Sequence, residues 1–169
     1  VPEYKNPFHP STYAHFVARK DYRKTYDVYK DDTLLNRQPK KSRKIFVCLD
    51  EQRGQYLVDG LVAMDFPLSS GVKAYPTKTG DYAVISKKED HTSNLYGKMY
   101  DAEGKCINYN AESTDPVPEG GRFDGSPMPY WQRLTNAGLG LHVGKVRRHP
   151  VSHGCVRLPR NVAEILYRQ

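Results

Sequence analysis

The stretch Gly140–Leu158, GLHVGKVRRHPVSHGCVRL, decides how this 169-residue chain is read. It carries His142, His149 and His153, three of the chain's six histidines, and places Cys155 two residues after the last of them. The thiol stands beside Gly154, where a missing side chain lets backbone come close to a bound group. Imidazole and cationic side chains around a thiol favour the thiolate, which is the nucleophilic form. Leu141-His142-Val143 has the apolar flanks of a strand end that carries an imidazole. A strand followed by a tight loop brings His142 to Cys155, the arrangement that nucleophilic catalysis by cysteine needs. On this reading Cys155 is the nucleophile and His142 the base. The backbone N–H groups of Gly154 and Cys155 are the oxyanion donors. An ordinary cysteine pKa of about 8.5 leaves little thiolate at neutral pH, so the partner imidazole matters.

Working outward, Ser152-His153-Gly154-Cys155-Val156-Arg157-Leu158 after an apolar-His-x-Gly stretch resembles the L,D-transpeptidases, bacterial enzymes that cross-link peptidoglycan. One branch of that family separates its His and Cys by twelve residues, and His142 and Cys155 keep this spacing. The runs Met128-Pro129-Tyr130-Trp131, Ser93-Asn94-Leu95-Tyr96 and Ser69-Ser70-Gly71 are similar to that branch and fall in its order, as do Pro76-Thr77 and Thr79-Gly80. The resemblance covers residues 44–169. It implies that His142 activates Cys155 and that the Val143 carbonyl orients the imidazole. It also implies that His153 and Arg157 shape the catalytic loop, with Arg157 near the donor peptide's carboxylate. Ser152, Met128, Tyr130 and Trp131 are then expected along the substrate cleft, although Met128, Tyr130 and Trp131 also read as packing onto the sheet. Lys145, Arg147 and Arg148 read either as carboxylate binders at the mouth or as a solvated loop.

The implied reaction is acyl transfer through a thioester. The donor is a peptidoglycan stem tetrapeptide, cut between diaminopimelate and its terminal D-Ala. The acceptor stays open: a second stem, a lipoprotein or outer-membrane protein amine, or a free D-amino acid. No cofactor and no metal are implied. The implied place is the bacterial envelope, in the periplasm after removal of a signal sequence; the chain opens at Val1 without a charged-then-apolar leader.

Composition narrows the class. Hydrophobic residues make up 38% and mean hydropathy is −0.74, so the core is modest and the surface polar. No apolar run approaches the ~20 residues that a membrane-spanning helix needs. Residues 1–44 hold 11 Lys or Arg against 5 Asp or Glu, and residues 45–169 hold 15 against 14. Most of the net +7 thus belongs to the N-terminal segment, whereas a nucleic-acid binder places its positive face on the folded module. That segment reads as a solvated basic arm, as an arm attracted to an anionic polymer, or as one docked through its tyrosines. Cys48, Cys106 and Cys155 form no CxxC pair, which argues against structural zinc. Cys48 lies in the apolar run Ile45–Leu49 and is expected as a buried thiol, although pairing with Cys106 in an oxidising compartment stays open.

The expected architecture is mainly β: a mixed, sandwich-like β fold with a few peripheral helices and long loops. Residues 1–43 form the basic, Tyr-rich extension and linker, and residues 44–169 the catalytic domain. Apolar and aromatic spacing allows one or two short helices between Ser11 and Lys30. Lys44–Asp50 is the first strand. Gln55–Val58 and Leu61–Phe66 flank Asp59-Gly60, a dipeptide suited to a two-residue type I′ turn. Tyr82–Ile85 is expected as a further strand, and the polar residues 86–127 as long loops. Pro159 can open a helix in which Val162, Ile165 and Leu166 share one stripe.

Two other chemistries compete for the site. A zinc centre would use His142, His149, His153 and Cys155, but no carboxylate lies between Leu139 and Leu158. A papain-like peptidase places its Cys before its His, the reverse of the order here. A non-catalytic wall-binding module or a cysteine L,D-carboxypeptidase acting on the same stem would share much of this sequence.

Overall fold

A computed structural model describes residues 2–169. In chain order the elements are α1 (Tyr13–Val17), β1 (Tyr29–Lys30), α2 (Asp32–Leu35), β2 (Arg43–Cys48), β3 (Arg53–Val58) and β4 (Leu61–Pro67). They are followed by β5 (Ser86–Tyr100), β6 (Cys106–Glu112), β7 (Arg122–Arg133), β8 (Gly140–Val143), β9 (Val156–Leu158) and α3 (Arg160–Arg168). The strands build two sheets, ordered β1-β4-β3-β2 and β6-β5-β7-β8-β9. Pairing is antiparallel except between β8 and β9. The fold is therefore mainly β with peripheral helices, as the sequence leads one to expect.

The β3–β4 hairpin turns at Asp59-Gly60, whose φ angles of 51° and 81° are those a type I′ turn demands. Apolar residues of β3 and β4, Val58, Ala63, Met64 and Phe66, pack with Leu141, Val156 and Leu158 of the second sheet. Val162, Ala163 and Leu166 of α3 close the same core. Residues 2–43 are not a free arm. Leu34 and Leu35 of α2 enter the core, and β1 pairs with β4. Tyr13 and Tyr22 both donate their hydroxyls to Asp65 Oδ2, at 2.6 and 2.7 Å. Asp65 is fully buried and takes Arg53 Nε on its other oxygen at 2.6 Å. Nη1 and Nη2 of Arg53 donate to the carbonyls of Thr25 and Asp27. The tyrosines, rather than the excess lysines, attach this segment.

Three expectations need correction. Residues 86–127 are not long loops: they carry β5, β6 and the first half of β7. Most of β5 meets water on both faces, so its hydrogen-bond ladder forms without the apolar alternation that betrays a half-buried strand. Tyr82–Ile85 is irregular rather than a strand. The Ile85 N–H reaches the Arg133 carbonyl, but β2 remains an unpaired edge. A cavity of about 1000 Å³ separates this segment from β2, with Ile45, Val47, Leu141 and Val156 in its wall. Cys48 is exposed, because an edge strand buries only alternate residues, here Ile45 and Val47 in part. All three cysteines are free thiols.

Candidate active site

The stretch Gly140–Leu158 is shaped by a parallel pair. In the β8–β9 register Leu141 faces Val156 and His142 faces Arg157. Alternation sends Leu141 and Val156 into the core and leaves His142, Cys155 and Arg157 for the other side. His142 is only 6% exposed. Its Nδ1 lies 2.6 Å from the Val143 carbonyl, which can only accept, so Nδ1 carries the proton and Nε2 is the basic nitrogen. Burial pushes the imidazole down to about 4, helped by the charges of Arg157 and His91 and opposed by the Val143 bond. The ring is a neutral base at neutral pH.

Cys155 does not behave as its basic surroundings suggest. Burial is the largest influence and pushes the thiol up; the Gly140 backbone and the charges of Arg133 and Arg157 pull the other way. In this resting state the thiol donates to the Gly138 carbonyl at 3.2 Å. The site therefore holds a neutral thiol and a neutral imidazole.

The loop around the thiol is fastened from below by Ser69-Ser70-Gly71. Ser69 bridges to Arg157 and Gly71 to Ser152. The Val151 and Ser152 N–H groups both donate to the Ser70 carbonyl. A Cβ on Gly71 would lie 2.8 Å from the Gly154 Cα, so only glycine lets the two chains meet. Gly154 has φ 124°, closed to most L side chains, and its carbonyl accepts from Thr77 Oγ1. Ser152 is buried and its hydroxyl is consumed inside the loop: it donates to the Cys155 carbonyl and accepts from the Gly154 N–H. Of the two expected oxyanion donors, the Gly154 N–H is thus already bound.

His153 lies between two aromatic rings. Tyr96 of β5 stacks on it, 4.2 Å between centroids and 7° between planes, and Tyr75 meets it edge-on at 4.8 Å. This places the Ser93–Tyr96 run directly against the thiol loop. Trp131 reaches the site, with its ring centroid 6.1 Å from that of His142. Tyr130 does not: successive strand residues face opposite ways, and Tyr130 packs edge-on to Tyr167 of α3, against the core. Met128 sits opposite His91 in the β5–β7 register. Of the basic loop, Lys145 and Arg147 are exposed. Arg148 turns inward instead, donating to the Glu51 carbonyl, with burial lowering its pKa. His149 is exposed and only touches the Pro150 carbonyl.

Sequence reasoning missed Gly138, Arg133, Tyr75 and His91. The first supplies a carbonyl and carries no side-chain signal. The last lay within residues taken for loop. Among the described residues no group of three or more His, Cys, Asp or Glu side chains is placed to hold a metal. Nor is any helix among them long and apolar enough to cross a membrane.

A family model of the L,D-transpeptidase catalytic domain (YkuD) matches residues 42–169. The search of curated proteins returns no match. Among solved structures, a cysteine-to-serine mutant of the Enterococcus faecium L,D-transpeptidase is 27% identical, over 76% of this chain and 46% of its own, with TM-score 0.53. An L,D-transpeptidase from Stackebrandtia nassauensis is 22% identical over 92% and 58%, with TM-score 0.53. L,D-transpeptidase 3 from Mycobacterium tuberculosis, in complex with a faropenem-derived adduct, is 23% identical over 75% and 55%, with TM-score 0.54. The last two show likeness of fold. This chain spans about half the length of these three structures. The family match takes in the long sheet, the Ser69–Gly71 floor, the buried imidazole and the thiol, and by it this chain belongs to the L,D-transpeptidase catalytic-domain family.

Proposed function

We propose that this chain is the catalytic module of a peptidoglycan L,D-transpeptidase working in the bacterial periplasm, with Cys155 as nucleophile and His142 as its base. The observation that carries this reading is the β8–β9 pairing. It sets the imidazole, oriented by the Val143 carbonyl, on the strand beside the thiol. A stem tetrapeptide enters as donor, its carboxylates met by Arg157, which makes no ion pair among the described residues. The thiol leaves the Gly138 carbonyl, gives its proton to His142 Nε2, and its sulfur attacks the carbonyl between diaminopimelate and D-Ala. The Cys155 N–H supports the oxyanion. D-Ala departs as an amine with the proton from His142, and a thioester remains. An acceptor amine then attacks the thioester, loses its proton to His142, and the thiol is restored. The acceptor is a second stem, an envelope protein amine or a free D-amino acid.

The raised thiol and lowered imidazole mean that proton transfer accompanies attack instead of preceding it. The test is a carbapenem, whose strained amide is opened by the same attack with no acceptor amine present. Intact-protein mass is expected to show one adduct, mapped to the peptide containing Cys155 and lost in Cys155→Ala. An adduct on Cys48 or Cys106 with Cys155 untouched contradicts the mechanism. Mass spectrometry of products from defined muropeptides identifies the acceptor.

A further inference from the structure

His142 is held at its edge by its own strand, through Nδ1 and the Val143 carbonyl. Its face is held by other strands. The Trp131 indole of β7 leans over it at 6.1 Å between centroids and 40° between planes. The indole is in turn backed by His91 of β5, 4.7 Å away and nearly parallel at 20°. The Arg133 guanidinium lies 5.4 Å from the same indole centroid. Trp131 is 3% exposed, and it fits because position 140 is glycine: a Cβ there would fall 2.5 Å from the indole Cη2. His91 by contrast is half-buried and reaches water. The indole is thus packed against Gly140 and stacked on the His91 imidazole, with the Arg133 guanidinium as its further neighbour.

We infer that His91 is a positioning residue for the catalytic base, acting on His142 through the Trp131 indole. The inference rests on the proposed reaction only for its kinetic consequence; the ring stack itself is independent of it. His91 also touches the base through charge. The charged groups that bear on His91 are Arg133 of β7 and Lys88 of its own strand; both, after burial, disfavour its protonated form. Its chain neighbours Glu89 and Asp90 are exposed, and Met128 opposite it is uncharged. The charge of a protonated His91 opposes protonation of His142, so His91 keeps His142 in its basic form to lower pH. When His91 does take a proton, its flat contact with Trp131 becomes a cation–π contact.

Trp131 is the chain's one tryptophan, so indole fluorescence reads this stack directly, excited where the thirteen tyrosines do not absorb. Wild-type fluorescence is expected to fall as pH is lowered through the titration of His91. That transition is expected to vanish in His91→Phe, which keeps a flat ring without a charge, and to persist in His142→Gln. A transition that survives in His91→Phe, or is lost in His142→Gln, overturns the assignment whatever the enzyme does. The kinetic arm is Cys155 acylation by a carbapenem as a function of pH. His91→Ala is expected to slow acylation at neutral pH by about tenfold or more through misplacement of the base. His91→Phe is expected to recover most of that rate. In both variants the acid limb, set by His142, moves to higher pH. A purely structural His91 would leave the acid limb in place once folding is restored by Phe. An unmoved limb together with an unchanged neutral rate in both variants overturns the positioning role, while failure of wild-type acylation strikes the proposed reaction and leaves the stack result standing.

Discussion

At Arg53 and Asp65 this chain buries two charges and satisfies them fully; at His142 and Cys155 it buries two ionisable groups and leaves them neutral and under-bonded. Asp65 takes Arg53, Tyr13 and Tyr22, and Arg53 adds two backbone carbonyls. His142 and Cys155 have one carbonyl for the imidazole and one for the thiol. A buried charge is tolerable only when paired and hydrogen-bonded, so the first centre is rigid by necessity. A buried neutral pair keeps a proton to exchange, which suits the second centre to the proposed chemistry. One centre fastens the N-terminal segment to the sheet; the other sits where the parallel strands open.

The sharpest break of this comparison is Cys155→Ala. Carbapenem acylation is expected to disappear entirely while the thermal midpoint stays the same or rises, since a poorly bonded thiol is lost from a buried place. A large fall in midpoint would make Cys155 a structural cysteine. The converse substitution, Asp65→Ala, is expected to cost about 3–5 kcal/mol of stability, because it strands the Arg53 guanidinium in the core. Urea titration of both variants measures the contrast, and a loss under about 1 kcal/mol at Asp65 would remove the distinction.

A third test uses pH. The His142 imidazole titrates near 4 when folded, against an ordinary value of 6.5. The unfolded chain therefore binds a proton that the folded chain refuses in this window. Stability contributed by the neutral buried ring is intact above pH 6.5 and is lost as pH falls towards 4, by about 3 kcal/mol in full. Between those limits wild type is expected to weaken by that amount relative to His142→Gln. Parallel stability curves for the two proteins would show that the imidazole is not buried as a neutral base. The smallest effect belongs to Tyr13→Phe. It removes one hydrogen bond to Asp65 while Tyr22 remains on the same oxygen, and is expected to cost about 1–2 kcal/mol with acylation unchanged. A slower acylation in this variant would mean that the two centres are coupled.

Much of the site was legible in the sequence. The His142–Cys155 spacing, the glycine before the thiol and the Ser69-Ser70-Gly71 run are local patterns, and the fold gathers them around one loop. The Asp59-Gly60 turn and the terminal helix are legible for the same reason: turn angles and a helical stripe are written in neighbouring residues. The long ribbon of β5, β6 and β7 was not, because its stability comes from cross-strand hydrogen bonds and most of its side chains stay in water. Cys48 was misread because burial on an edge strand depends on which sheet lies beyond it.

The sequence by itself pointed to the family, and to Cys155 and His142 as the proposed nucleophile and base, since reactive groups need specific residue types at fixed separations. The tertiary structure decided their protonation. Burial outweighs Arg133 and Arg157 and makes the thiol a donor to Gly138, a balance of desolvation against charge that no local pattern expresses. It also decided that most of the polar stretch 86–127 forms strands, that the basic N-terminal segment is docked through Asp65, and that His91 backs the indole beside His142. Each of these rests on contacts between residues far apart in the chain, and such contacts exist only once the two sheets have packed.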